Sequence, residues 1–161
     1  MLSIRPATAD DIPEILKLIR ELAEYEKLAH LVVITAEDLR RDGFSERPYF
    51  HVLMAEWDGA PAGYVLYFYN YSTFRGRPGM FLEDLFVRPR FRKKGIGKAL
   101  LLRVAGIAAE KGCARFEWQV LDWNTPSIEF YKSLGAVVMK EWLTMRVSGE
   151  ALTELAAQAA D

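Results

Sequence analysis

The chain predicts an α/β fold, a mixed sheet with helices packed on it, built as a single domain over all 161 residues. Three observations predict it. Some stretches place their apolar residues at the three-four spacing of a helix, and others are dominated by aromatic and branched residues. The two textures interleave in the order β, α, α, β, β, β, α, β, α, β. At 51% hydrophobic, the chain is long enough for one well-buried core and too short for two ordinary domains.

The elements follow in order. "MLSIRP" is a short apolar strand that Pro6 stops. In "DDIPEILKLIRELAEYEK", Ile12, Ile15, Leu16, Ile19, Leu22 and Ala23 form one apolar stripe. Asp10 is the expected cap, which leaves Pro13 in the first turn, where its missing N–H costs nothing. "TAEDLRRDG" repeats the pattern with Thr35 as cap, Asp38 three residues on and Gly43 as terminator. "YFHVLMAEW" and "GYVLYFYNY" read as antiparallel strands joined at Asp58-Gly59. "MFLEDLFV" is a third strand. The stretch from Gly95 to Lys111 is a helix closed by Gly112, "ARFEWQVL" a strand, and "TPSIEFYKSLG" a short helix from Pro126 to Gly135. "WLTMRV" is expected as a last strand and "GEALTELAAQAA" as a helical tail.

Composition narrows the partners. With 21 basic against 22 acidic residues, the formal net charge is -1, so a nucleic-acid binder is disfavoured and the expected partner is small. One cysteine, Cys113, rules out an internal disulfide framework. The opening "MLSIRPATADD" lacks the apolar core of a secretory signal, and no apolar run reaches the roughly 20 residues of a membrane helix. The expected location is the cytoplasm, with no membrane partner. His30 and His51 match no metal spacing or triad, so no metal is expected.

Charge is concentrated locally. Residues 86–100, "FVRPRFRKKGIGKAL", carry Arg88, Arg90, Arg92, Lys93, Lys94 and Lys98 and no acid. A basic, glycine-containing turn between a strand and a helix suits a phosphate, because free N–H groups and the positive helix end both face the anion. A P-loop would need Gly and Ser or Thr where Arg92 and Ala99 stand, and a dinucleotide fingerprint would need a small residue at Leu100. What remains is Arg92-Lys93-Lys94-Gly95-Ile96-Gly97, of the form R-x-x-G-x-G. Its plainer reading is a solvated basic turn that caps a helix.

That loop resembles the coenzyme A pyrophosphate loop of the GNAT superfamily of N-acetyltransferases. "IRPATADD", "LIRELAEYEKL", "DGF", "FLEDLFV", "GIG", "DWN" and "FYKSLGA" are together similar to the spermidine/spermine N-acetyltransferase family over nearly all of residues 3 to 147. "YSTFRGR", "KGC" and "VLDWN" are closer to its thialysine branch, and Ser72 stands where the polyamine enzymes carry an acid. The resemblance implies a mostly antiparallel central sheet with a splayed central strand pair and helices on both faces. It also implies acetyl-CoA as co-substrate, a small amine as acceptor and a homodimer.

It implies residue roles as well. The cofactor would meet the backbone of Leu85, Phe86 and Val87, the loop Arg92, Lys93, Lys94, Gly95, Ile96, Gly97 and Lys98, and Asn124 with Ser127. Glu83 corresponds to the base and Tyr131 to the general acid for the departing thiolate. The amine would meet Tyr25, Glu26, Glu83, Asp84, Glu117, Trp118 and Gln119. Whether Glu141 replaces a substrate-facing acid stays open, because the hairpin there is shorter than in the family.

The chemistry makes a carboxylate necessary. An alkyl amine is only a small fraction of 1% neutral at pH 7, a cost of roughly 4 kcal/mol that a nearby acceptor of its proton reduces. Glu83 and Asp84 are neighbours in an otherwise apolar strand, so alternation sends them to opposite faces unless a bulge re-aims them. Either acid could instead be a solvated strand end. Tyr131 could be a core residue, with Phe130 as its rival, and Asn124 a helix cap. Three functions remain in view: a thialysine-like or diamine acetyltransferase, a polyamine acetyltransferase, and a catalytically silent coenzyme A-binding module.

Overall fold

The computed structural model describes residues 1–159. Two compact units divide the chain, Met1–Leu121 and Asp122–Asp161. The first contains β1 (Leu2–Pro6), α1 (Ile12–Tyr25), α2 (Ala36–Gly43), β2 (His51–Trp57), β3 (Ala60–Ser72), β4 (Arg77–Val87), α3 (Ile96–Glu110) and β5 (Phe116–Trp118). The second contains α4 (Thr125–Ser133) and α5 (Gly149–Ala156).

The sheet runs β1-β2-β3-β4-β5, antiparallel except for the parallel pair β4 and β5. Alternation gives it two apolar faces. Val52, Met54, Tyr64, Leu66 and Phe86 form one core with Ile12, Ile15 and Leu18 of α1 and Leu39 of α2. The intervening strand residues Leu53, Ala55, Val65 and Tyr67 are also buried, as are Leu100, Leu101 and Val104 of α3, which packs on β2, β3 and β4. Helices therefore cover both faces, as a mixed sheet requires.

Local sequence explains most boundaries. Asp58 and Gly59 both take positive φ, the mirror-image turn that matches the twist of a two-residue hairpin, and Trp57 pairs with Ala60 across it. Thr35 caps α2 by accepting the Asp38 N–H at 3.1 Å, and the Asp38 carboxylate accepts the Thr35 N–H in return.

Four expectations are corrected. The start of α1 is organised by Asp11 rather than Asp10: a short 3-10 turn over Ala9–Asp11 precedes the helix, and the Asp11 carboxylate accepts the Thr8 N–H at 2.7 Å and both terminal nitrogens of Arg5. Gly43 lies inside α2 with ordinary φ, and it is small because a Cβ there would collide with the Phe50 ring. The strand expected over 114–121 shrinks to Phe116–Trp118, because its partner β4 is bulged beyond Leu82. Residues 142–147 form no strand. Within their own unit the regular elements are two helices, which offer no ladder to join. The tail is helical over Gly149–Ala156, and the end of the expected tail, residues 160–161, lies outside the described residues.

Candidate active site

The decisive local event lies in β4. Leu66 pairs with Asp84 and Tyr67 pairs with Leu82, so Glu83 is an extra residue, a β-bulge. The bulge breaks the alternation that would separate Glu83 from Asp84. The electrostatics report the result: Asp84 feels the charges of Glu83 and of Glu26, one residue beyond α1, and Glu26 feels Glu83. Three carboxylates thus gather from the end of α1 and the middle of β4. Glu83 is exposed. Asp84 is half-buried, and its carboxyl is pushed up to about 6, chiefly by burial and further by Glu83 and Glu26, against the opposing effect of a hydrogen bond from Tyr64. The Glu26 carboxyl is likewise raised, by burial first and then by Glu83.

The same bulge splays the sheet. β5 pairs only with Met80, Phe81 and Leu82, the last opposite Trp118, and from Glu83 onward β4 keeps its β3 partner alone. The Arg88 N–H donates to Ala62 on the β3 side, so alternation turns the N–H groups of Leu85 and Val87 to the side where β5 no longer pairs, and that of Phe86 toward β3. Of the three backbone segments expected to meet the cofactor, Leu85 and Val87 are the two whose N–H groups geometry leaves available. The Phe86 side chain belongs to the core.

The basic loop follows directly. Gly95 caps α3 at φ 77°, a conformation that costs other residues about 1 kcal/mol or more. The first intrahelical bond runs from Ala99 N–H to Gly95 C=O, so the N–H groups of Ile96, Gly97 and Lys98 precede the hydrogen-bonded ladder. At Gly97 a Cβ would meet nothing nearer than Val87 Cγ2 at 3.7 Å, so internal packing does not explain that glycine, while an approaching phosphate would. This is the fit expected of a pyrophosphate cradle.

Five of the six cations of residues 86–100 divide by role. Arg88 is nearly buried and bonds Glu14 at 2.6 Å, Glu21 at 2.7 Å and the Pro61 carbonyl at 3.0 Å, so it is a structural clamp. Arg92 donates from Nε to the Val87 carbonyl at 2.9 Å and stacks over Tyr25 at 4.8 Å, which ties the loop to the end of α1. Lys94 lies over the Trp57 ring at 4.6 Å. Lys93, at φ 62°, and Lys98 are exposed beside the helix start.

The remaining expected residues separate. Glu117 pairs with Arg115 at 2.8 Å, and Trp118 packs edge-on against Phe116. Gln119 follows β5 directly. In the second unit, Asn124 is buried and its side chain caps α4 by accepting the Ser127 N–H at 3.4 Å, so the helix-cap role is real. Tyr131 is half-buried on α4, its ring 5.4 Å from that of Phe130. Glu141 is exposed, outside any strand. Among the described residues no group of three His, Cys, Asp or Glu side chains could hold a metal ion, and no helix is long and apolar enough to cross a membrane.

A splayed strand pair beside a glycine-led helix start is a fold signature, and sequence comparison matches it: the pattern of the acetyltransferase (GNAT) family fits residues 13–136. The chain belongs to that family. This GNAT chain is 47% identical to the thialysine N-epsilon-acetyltransferase of Mus musculus, over 95% of its own length and 96% of the relative's. It is 35% identical to the L-ornithine N5-acetyltransferase of Arabidopsis thaliana, over 92% and 85%. An integron cassette protein from the mobile metagenome of V. cholerae superposes with a TM-score of 0.80 at 26% identity, covering 96% of this chain and 97% of that one.

One residue of this GNAT site escapes a reading of the sequence. Tyr64 of β3 is wholly buried, and its hydroxyl donates to Asp84 Oδ2 at 2.9 Å. The chemical signal is only general: a tyrosine inside an apolar strand needs a partner for its hydroxyl, and the acids nearest to Tyr64 in the sequence are Glu56 and Asp58 rather than Asp84.

Proposed function

We propose that this acetyltransferase moves acetyl from acetyl-CoA to the side-chain primary amine of a small amino acid, with thialysine as the leading substrate. The 47% identity to the mouse thialysine enzyme over almost the whole of both chains carries the reading. The ornithine-acetylating relative agrees in kind, since both names denote an α-amino acid with a distal primary amine. The three carboxylates Glu26, Glu83 and Asp84 supply the negative potential that a cationic amine needs.

The mechanism assigned to these residues is direct transfer. Glu83 accepts the proton of the substrate ammonium, directly or through water, and the freed nitrogen attacks the thioester carbonyl carbon. The Val87 N–H stabilises the oxygen that becomes negative. The C–S bond then breaks, the departing thiolate takes a proton from Tyr131, and the second proton, which the nitrogen sheds as the amide forms, restores the Tyr131 hydroxyl by way of solvent; the role of Tyr131 rests on the family motif. Ile96, Gly97 and Lys98 hold the pyrophosphate by backbone N–H groups, with Lys93 and Lys98 as cationic partners. Asn124 and Ser127 take the pantetheine arm by the same motif. A homodimer, a cytoplasmic location and indifference to nucleic acid belong to the same reading, and the solution mass from sedimentation equilibrium in the analytical ultracentrifuge tests the first.

The substrate test is a screen of amines with acetyl-CoA, following released thiol. Because Ser72 replaces the acid of the polyamine branch, kcat/KM for thialysine is expected to exceed that for spermine by tenfold or more, about the value of one charge-assisted contact. A preference for spermine would return the chain to the polyamine alternative.

A further inference from the structure

We propose that Tyr64 is a positioning residue for amine recognition: its buried hydroxyl holds Asp84 by Oδ2, leaving the other carboxylate oxygen for the substrate's ammonium group. The inference rests on the amine-site reading above and deepens it.

The geometry has three parts. Tyr64 sits in the middle of β3 with 0% of its surface exposed, and its ring is part of the core formed with α1 and α2. A ring so confined cannot follow a moving partner, so its hydroxyl is a fixed point. Asp84 stands at the far side of the β4 bulge, where the strand backbone alone specifies side-chain direction least. The bond of 2.9 Å between the two supplies the missing constraint, and it is the hydrogen bond made by the Asp84 side chain among the described residues.

The surroundings make the bond matter for charge. The titratable groups that face Asp84 are Tyr64 from β3, Glu83 from β4 and Glu26 from the end of α1. Two of these are acids that oppose its ionisation, as does burial, and Tyr64 alone favours the carboxylate. The hydroxyl thus does two things at once: it aims Asp84 and keeps it charged near neutrality. A cationic amine completes the arrangement by adding the positive charge that the three acids lack.

The test compares wild type with Tyr64→Phe, which keeps the ring and removes only the oxygen. Carbon-13 NMR of the Asp84 carboxyl is expected to show its titration midpoint moving upward from the wild-type value by about one pH unit, the size of one charge-assisted hydrogen bond. Thialysine binding, measured by calorimetry in the presence of coenzyme A, then weakens by a factor about fivefold larger near pH 6 than near pH 8.5, where Asp84 is ionised in both proteins and only its aim is lost. The thialysine ammonium groups stay largely protonated across the lower part of this window, so the change reports the enzyme. A merely structural role would weaken binding equally at both pH values. Asp84→Asn is the second variant: it removes this pH dependence with Tyr64 intact, and adding Tyr64→Phe to it has no further effect. A midpoint unmoved by Tyr64→Phe, with thialysine still bound by wild type, overturns the role of Tyr64 alone. Failure of wild type to bind thialysine, L-ornithine or spermine at any pH overturns the amine-site reading itself.

Discussion

At the scale of single residues, Glu83 and Asp84 differ in exposure. Glu83 is exposed at the bulge and available to an incoming ammonium, whereas Asp84 is half-buried and tied to Tyr64. If Glu83 receives the amine proton, kcat/KM should climb as pH rises from about 7 to 9, since each pH unit raises the neutral fraction of the amine nearly tenfold. Glu83→Gln is expected to lower the rate and flatten the climb in steady-state profiles. Tyr131→Phe tests the proton donor. Loss of the hydroxyl with the ring retained should reduce kcat roughly 100-fold at nearly constant KM, the mark of an interaction made in the transition state. Normal kcat would leave Tyr131 as a packing neighbour of Phe130.

Elements set what those residues can reach. β4 is bulged, pairs with β5 over three residues and then runs on beside β3 alone, and the helix start of α3 follows it by a loop that Arg92 pins to Tyr25 and to the Val87 carbonyl. The loop's two glycines answer to different demands. Gly95 needs positive φ, so Gly95→Ala should cost about 1 kcal/mol in denaturant unfolding. Gly97 has ordinary φ and room for a side chain, so Gly97→Glu should fold normally yet place a carboxylate at the helix start. Calorimetry is expected to show acetyl-CoA affinity reduced at least tenfold, or about 1.4 kcal/mol. Unchanged affinity in that variant would remove the pyrophosphate from this loop.

For the molecule as a whole, two aspartates set opposite pH dependences of stability. Asp11 lies between Arg5 and the Thr8 N–H, and its carboxyl is held down to about 2, first by the Arg5 hydrogen bonds. A depressed folded-state value adds stability above the ordinary aspartate range, and that stability is lost as pH falls toward 2. Asp84 is raised to about 6, so its ionisation burdens the folded state as pH rises through that value. Asp11→Asn should therefore lose about 1 kcal/mol near neutrality, with the gap to wild type closing as pH approaches 2. Asp84→Asn should gain stability relative to wild type between about pH 5 and 7. Thermal melts across pH measure both.

The sequence by itself determined what depends on neighbours along the chain. Helical stripes, the Thr35 cap, the Asp58-Gly59 hairpin, the order of the first nine elements and the R-x-x-G-x-G loop are local, and each is encoded within a few residues of where it acts. The family motifs extended that legibility to the acetyl-transfer chemistry. Tertiary structure decided what depends on pairing. A bulge exists only as a mismatch between two strands, so β4 alone could not reveal that Glu83 is the extra residue or that β5 ends at Trp118. Charge counting could not show that Arg88 is consumed by Glu14 and Glu21, residues far away in sequence. Nor could it show that Tyr64 reaches Asp84, because a side chain's hydrogen-bond partner is fixed by register across a sheet, and register is a property of the folded pair.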